Sequence, residues 1–258
     1  MHQSNTSHTN DTSNANARRS FLKKLGAAVG TATVAGTLPT TTRAAISEQK
    51  VQYGMLIDTR RCIGCHSCTV ACKAEYDVPL GSSRSWVAYV EKGDYPNVSR
   101  NFLPQLCNHC STPYCVPVCP TVPRATYKRE EDGIVVVDSD LCIGCKNCVQ
   151  ACPYEARFMN PVTGVADKCD FCVHRVSQGL TPACVETCIG GARIFGDLND
   201  PDSEISRMIA TNTVSVLKPK IGTQPNVFYI AADDPDELDR GTNQYLRVTT
   251  HRKYEQRV

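Results

Sequence analysis

Aromatic side chains make up only 7% of this 258-residue chain, its formal charge is just +2, and it has neither a block of Lys and Arg nor a long apolar run. Each shortage excludes something. Without clustered positive charge there is no electrostatic footprint for nucleic acid, so that class of partner is set aside. A membrane-spanning helix needs about 20 consecutive apolar residues. The weakly apolar stretch from Leu25 to Leu38, mostly Gly, Ala, Val and Thr, is too short and too poor in large side chains to be one. Few aromatics leave a thin apolar core for a length that suits one large body or two small ones. What stands in their place is cysteine, present sixteen times, far above ordinary usage. The thiols are expected to substitute for part of the core.

Residues 1–17 are rich in Ser, Thr, Asn and His with almost no apolar residues, a composition that cannot bury a core and is expected to be disordered. Arg18-Arg19-Ser20-Phe21-Leu22-Lys23-Lys24 comes next, then the stretch to Leu38, then Arg43 and the small Ala44 and Ala45. This succession of polar, twin-Arg, weakly apolar and small residues resembles a twin-arginine export signal cleaved just after Ala45. The export machinery is therefore an expected partner, and the mature chain is expected in the periplasm or on the outer face of the cytoplasmic membrane. The expected organisation is a signal with a disordered N-terminus over 1–45, one body over 46–232, and a polar segment over 233–258. That last segment reads as either a tail or an arm lying on a partner.

Motif one is Cys62, Cys65, Cys68 and Cys72, and motif three is Cys142, Cys145, Cys148 and Cys152, both spaced C-x2-C-x2-C-x3-C at an offset of 80 residues. The repeat extends outward. Met55-Leu56-Ile57-Asp58 precedes Cys62-Ile63-Gly64-Cys65 as Val135-Val136-Val137-Asp138 precedes Cys142-Ile143-Gly144-Cys145. Motif two, Cys107, Cys110, Cys115 and Cys119, has a longer central gap, and motif four, Cys169, Cys172, Cys184 and Cys188, a longer one still. Together they use every cysteine.

Three closely spaced thiolates can wrap three corners of a cubane only on a tight loop, and this spacing is the bacterial ferredoxin run that holds [4Fe-4S] clusters. Gly64 and Gly144 let backbone N–H groups approach the sulfurs, one of the levers on reduction potential. In two-cluster ferredoxins the fourth cysteine ligates the other cluster, so the motifs are expected to work in pairs. Cys119-Pro120 and Cys152-Pro153 carry the usual proline after the last ligand, whereas Cys72-Lys73 and Cys188-Ile189 lack it. Even so, Cys188-Ile189-Gly190-Gly191-Ala192-Arg193 tracks Cys152-Pro153-Tyr154-Glu155-Ala156-Arg157, which makes motif four a modified copy. Iron that cross-links distant segments would supply folding free energy, and the apoprotein is expected to fold poorly.

Competing chemistries fare worse. Structural zinc needs two C-x2-C pairs per ion and has no use for third and fourth cysteines at x2 and x3. Disulfides are permitted in an exported chain, yet four close C-x2-C runs are not a typical disulfide framework. A [3Fe-4S] or [2Fe-2S] centre would announce itself by a missing ligand, and none is missing. His66, His109 and His174 are set aside as iron ligands on the same ground. For Arg60, Arg61, Lys146, Lys168, Arg175 and Arg193, all near the motifs, two readings stand side by side. They either offset the negative charge of thiolate-ligated clusters and raise their potentials, or belong to an ordinary solvated surface.

The pattern predicts strands over Tyr53–Asp58 and Ile134–Asp138, the second entered by an Asp132-Gly133 turn, and short helices over Thr69–Ala74 and Val149–Cys152. Residues 113–123 read as a ligand-bearing loop. Residues 201–216 read as an amphipathic scaffold helix with Ile205, Met208 and Ile209 on one face. The fold class expected is α+β, a duplicated bacterial two-cluster ferredoxin-like fold with long loops and a C-terminal extension.

Four such motifs in this order resemble the four-cluster iron–sulfur subunit of the complex iron–sulfur molybdoenzymes, a family that includes polysulfide, thiosulfate, dimethyl sulfoxide and tetrathionate reductases. The resemblance covers about Tyr53 to Asp233. It is carried further by Tyr53-Gly54-Met55-Leu56-Ile57-Asp58, Leu106-Cys107-Asn108-His109-Cys110, Ala166-Asp167-Lys168-Cys169 and Phe171-Cys172-Val173-His174-Arg175, with Val216-Leu217-Lys218-Pro219 and Phe228-Tyr229. These segments look most like the tetrathionate reductase branch. The resemblance implies four ligand sets. Cys62, Cys65, Cys68 and Cys188 hold cluster 1, facing a molybdopterin catalytic subunit, and Cys72, Cys169, Cys172 and Cys184 hold cluster 2. Cys107, Cys110, Cys115 and Cys152 hold cluster 3, and Cys119, Cys142, Cys145 and Cys148 hold cluster 4, nearest a quinol-oxidising integral membrane subunit. It implies a non-catalytic electron-transfer subunit. The alternatives are an exported soluble ferredoxin-like carrier and the iron–sulfur component of a membrane complex linked to sulfite reduction. The departure from the pattern is an insertion over Thr121–Arg129 that contains Pro123.

Overall fold

The computed structural model describes residues 50–232. The expectations placed on residues 1–45 and 233–258 lie outside the described residues. In chain order the elements are β1 (Tyr53–Asp58), α1 (Ser67–Tyr76), β2 (Ser85–Lys92), β3 (Ser99–Leu106), β4 (Thr126–Lys128), β5 (Val135–Val137) and α2 (Asn147–Gln150). They continue with β6 (Arg157–Met159), β7 (Ala166–Lys168), α3 (Val173–Val176), α4 (Ala183–Glu186), β8 (Arg193–Asp197), α5 (Glu204–Thr211), β9 (Val214–Ser215) and β10 (Val227–Ile230).

The run Met55-Leu56-Ile57 is fully buried because β1 is a central strand, antiparallel to β8 on one side and parallel to β10 on the other. With β9 beside β10 the sheet order is β8-β1-β10-β9. Successive side chains of a strand point to opposite faces. Met55 and Ile57 accordingly share a core with Cys68, Cys169, Cys184 and Tyr229, while Leu56 packs with Ile194, Ile205 and Ile230. One face of the sheet meets thiols. The other is closed by α5.

Helix α5 confirms the expected face, since Ile205 is fully buried and Met208 and Ile209 pack beside it. It is shorter than the 201–216 segment read from the sequence. Ser203 Oγ accepts from the Ser206 N–H (3.2 Å) and starts the helix, and Asn212 Nδ2 donates to the Met208 carbonyl (2.9 Å) where it ends. The remaining residues supply β9. Helix α1 outruns its expected span at both ends, from a left-handed His66 to a left-handed Asp77 whose N–H bonds to the Lys73 carbonyl. Helix α2 starts two residues early because the left-handed Lys146 opens the turn directly. Strand β1 falls where expected, and β5 occupies the centre of its expected span after a turn in which Asp132 Oδ1 accepts from the Ile134 N–H (3.0 Å).

Three hairpins complete the body: β2–β3 with eight residue pairs, and β4–β5 and β6–β7 with three each. Of these the sequence reading marks only the Asp132-Gly133 turn, which lies in the β4–β5 loop, and none of the pairings. Pro104 argues against a strand at β3, but a two-stranded ribbon leaves one edge without a ladder partner, where a missing N–H costs nothing. The segment read as an insertion over Thr121–Arg129 is in part regular structure, because Thr126–Lys128 is β4. The mixed helix and strand content agrees with the α+β expectation.

Candidate iron–sulfur site

Motifs one and three share one backbone turn. Gly64 and Gly144 sit at φ +68° and +69°, and the residues after the second cysteine, His66 and Lys146, at +59° and +66°. A Cβ at Gly64 would run into the Phe102 ring, and one at Gly144 would lie 2.6 Å from the Gly164 carbonyl oxygen. Glycine is thus required by both conformation and space. Motifs two and four make the same step without glycine: His109 (φ +42°) and Phe171 (φ +56°) occupy the same place in their C-x2-C turns. Left-handed backbone costs a non-glycine residue roughly 1–2 kcal/mol. Here the cost is offset by burial, for both rings are in the core and stack on each other with centroids 3.7 Å apart. That contact joins motif two to motif four and has no signature in the sequence.

The thiols fall into four neighbourhoods. Cys62 lies among Cys68 and Cys188. Cys72 lies among Cys172 and Cys184, and Cys169 feels both Cys72 and Cys184. Cys110 lies among Cys107, Cys115 and Cys152. A cavity is lined by Cys119, Cys142, Cys145 and Cys148. In every neighbourhood the last cysteine of one motif stands with the thiols of another. Helix geometry explains it: Cys68 and Cys72 are both buried on α1, but four residues advance the axis by about 6 Å, which carries the second thiol past the first one's neighbours. Strand pairing does the rest. β1, leading into motif one, pairs with β8, leading out of motif four, and the β4–β5 hairpin links motif two to motif three.

All sixteen cysteines are free thiols. Among the described residues no three His, Cys, Asp or Glu side chains converge tightly enough for a single metal ion. Burial pushes the Cys72 and Cys110 thiols up to about 12 and Cys172 to about 11, helped by neighbouring thiols, so alone they stay protonated. A metal cation reverses this by binding the thiolate outright. Donors are in place to receive that charge: the Phe171 N–H at 3.4 Å from Cys169 Sγ and the Ala192 N–H at 3.2 Å from Cys188 Sγ. At Cys119 burial works upward, but hydrogen bonds from the Thr121 hydroxyl and nearby backbone N–H groups bring the thiol down to about 7. An all-sulfur donor set with N–H groups aimed at it fits a thiolate-ligated cluster.

The histidines are engaged elsewhere. His66 Nε2 is 2.6 Å from the Tyr89 hydroxyl, His174 Nε2 is 2.6 Å from the Glu75 carboxylate, and His109 Nδ1 accepts from the Val135 N–H (3.1 Å). The basic residues divide between the two readings that the sequence leaves open. Arg60, Arg61 and Lys146 are exposed, and the half-buried Arg175 pairs with Glu75 and Glu186. Lys168 and Arg193 are buried, each 3% exposed. Arg157, which the sequence shows only as part of the repeat, is buried too, and its Nη2 donates to Cys115 Sγ (3.1 Å). Its position five residues after Cys152, like Arg193 after Cys188, is the signal in the chain that marks it.

Residues 53–74 match a family model described as a 4Fe-4S binding domain and residues 98–198 one described as a 4Fe-4S dicluster domain, and between them these spans contain every cysteine. The chain is 49% identical to the tetrathionate reductase B-subunit of Salmonella typhimurium over 225 residues, 84% of this chain and 89% of the relative. The chain belongs to the tetrathionate reductase B-subunit family. The tetrathionate reductase B-subunit of Archaeoglobus fulgidus is 44% identical over 70% of this chain and 82% of its own length. The selenate reductase B-subunit of Mesobacillus selenatarsenatis is 41% identical over 70% of this chain and 72% of its own. As a member of this family with two matching cluster-binding models, the chain carries multiple [4Fe-4S] clusters.

Proposed function

We propose that this iron–sulfur subunit relays electrons between a quinol-oxidising integral membrane subunit and a molybdopterin catalytic subunit of the tetrathionate, polysulfide or thiosulfate reductase type. It makes and breaks no substrate bond itself. The four thiol neighbourhoods hold four [4Fe-4S] clusters in the sets implied by the family resemblance, two in each half of a duplicated ferredoxin-like fold with a C-terminal extension. When bound, each cluster supplies reversible one-electron exchange.

The observation that carries the reading is the exposure pattern along the row. The two exposed thiols, Cys65 and Cys145, belong to motifs one and three, the end sets of the proposed row, whereas Cys72, Cys169, Cys172 and Cys184 are all buried. Exposed apolar side chains flank both outer sets: Ile63 and Ile189 at one, Ile143 and Val122 at the other. They offer each end set an apolar surface on which a partner can dock. A relay with a partner at each end needs two such contacts, whereas a diffusible carrier needs neither. Export by the twin-arginine route, inferred from Arg18-Arg19 and the weakly apolar stretch beyond them, lets the chain fold around its clusters before it crosses the membrane. It sets the relay at the outer face of the cytoplasmic membrane or in the periplasm.

The test is anaerobic capture of the mature chain from its own membranes, with mass spectrometry of the proteins that stay bound and iron and labile-sulfide analysis. Recovery of a molybdopterin protein and a polytopic membrane protein, with about sixteen iron per chain, is the expected result. Recovery of the chain alone with its clusters would make it a carrier, and zinc without sulfide would overturn the cluster reading.

A further inference from the structure

Three buried cations stand beside the thiols, and none has a carboxylate partner among the described residues. Arg193 donates to the Ser85 hydroxyl (2.8 Å) and lies 3.7 Å from both Cys184 Sγ and Met55 Sδ. Arg157 donates to the Thr126 hydroxyl (3.2 Å) and to Cys115 Sγ (3.1 Å). Lys168 Nζ donates to the carbonyls of Cys169 (2.8 Å) and Val135. The Nε of both arginines is buried without a partner. A charge taken out of water and left uncompensated is among the costliest things a fold can bury. By contrast Arg84, also beside motif four, is paired with Asp167 and Asp170. The three unpaired cations have only sulfur, hydroxyl and carbonyl atoms to face.

Their positions are not random with respect to the thiols. Arg193 lies against Cys184 of the second set and against Met55, which shares a core with Cys68 of the first. Arg157 lies against Cys115 of the third set and against Thr126, which lines the cavity of the fourth. Lys168 holds the carbonyl of Cys169, in the second set, and that of Val135, whose N–H bonds to His109 between Cys107 and Cys110 of the third. Arg157 opens β6 and Arg193 opens β8, each five residues beyond the last cysteine of its motif, while Lys168 closes β7 immediately before Cys169. One cation therefore stands at each of the three junctions of the row.

We propose that Arg193, Lys168 and Arg157 are the fixed counter-ions of the cluster row, one per junction, and that each raises the reduction potentials of the two clusters it separates. This rests on the proposed four-cluster reading. A positive charge favours the reduced, more negative state of a neighbouring cluster, and one placed between two clusters biases both. Its attraction for both electrons offsets the repulsion between them when adjacent clusters are reduced together.

The experiment is potentiometric titration by electron paramagnetic resonance of anaerobically purified holoprotein, with iron and sulfide counted first, for the wild type and for Arg193→Gln, Lys168→Gln and Arg157→Gln. Each substitution is expected to lower two of the four midpoint potentials and leave the other two in place. The expected shift is about tenfold in the oxidised-to-reduced ratio at fixed potential, about 59 mV for one electron. Arg193→Gln moves the two clusters at the motif-one end, Arg157→Gln the two at the other end, and Lys168→Gln the middle two. A fully loaded variant whose four potentials stay put, or all move alike, overturns the proposal. If a glutamine variant fails to load, Arg193→Lys, Arg157→Lys or Lys168→Arg at the same site decides. Normal loading with near-wild-type potentials supports a role for charge, and failure of the charge-conserving variant as well overturns it. A wild-type chain with fewer than four clusters would instead sink the four-cluster reading, which separates the two failures.

Discussion

The half of the molecule around motifs one and four rests on a four-stranded sheet, whereas around motifs two and three the β2–β3 ribbon, which runs into Cys107, is joined by two hairpins of three residue pairs each. In the first, Met55, Leu56, Ile57, Val227 and Ile205 are all fully buried, and Tyr229 nearly so. In the second, Ile134 and Val135 are buried too, but Tyr127 on β4 is 43% exposed, and Val136 and Val137 on β5 are only half-buried. An isolated two-stranded hairpin is marginal in water. The hairpin half therefore draws more of its order from cysteine wiring and from contacts with the sheet, and the sheet half more from apolar burial. The same ligand spacing is served by two kinds of scaffold.

The largest effect that would sharpen this contrast is metal removal. Stripping iron anaerobically with a chelator is expected to abolish hydrogen-exchange protection over β4–β5 and β6–β7 while part of it survives on β1, β8 and β10. Uniform loss across both halves would break the comparison. Next in size are the crossover cysteines. Cys72→Ala is expected to eliminate the spectroscopic signal of the cluster held with Cys169, Cys172 and Cys184 and spare that of Cys62, Cys65 and Cys68, and Cys188→Ala the reverse. Damage confined to the substituted motif would sever the link between the strand pairing and the ligand sets.

Smaller effects separate the scaffolds by apolar burial. Ile205→Ala, beneath the sheet, is expected to cost about 3 kcal/mol, and Val137→Ala on the β4–β5 hairpin about 1 kcal/mol or less, both measured as shifts in anaerobic denaturation midpoints of the loaded protein. Equal costs would place a comparable core in both halves. The smallest test concerns the contact between them. The Tyr154 hydroxyl, just after motif three, lies 2.5 Å from Thr223 Oγ1, near the start of β10. Tyr154→Phe is expected to cost about 1 kcal/mol and to raise exchange in the β4–β5 and β6–β7 hairpins more than in the sheet.

Much of the site could be read along the chain. Ligand type, the tight turn at Gly64 and Gly144, strand β1 and the buried face of α5 depend on residues within a turn or two of each other, and local patterns carry them. The β2–β3 ribbon was hidden by Pro104, a residue harmless on an unpaired edge that the sequence does not mark as an edge. The His109–Phe171 stack was hidden for a different reason. Both residues occupy a position where the repeat elsewhere uses glycine, and what stabilises them is each other, 62 positions apart.

The basic residues mark the boundary most clearly. Six were visible near the motifs; Arg193 has a spacing of its own, five residues after Cys188, but nothing tells the exposed Arg60, Arg61 and Lys146 from the buried Lys168. Thiol spacing is a local constraint, since a cubane must be wrapped by a short loop, and so the chain alone announces its ligands. Whether a cation beside them meets water or sulfur depends on which distant strands cover it. Arg193 is enclosed with Ser85 from β2 and Met55 from β1, and Arg157 with Thr126 from β4, all brought in by strand pairing rather than by sequence neighbourhood.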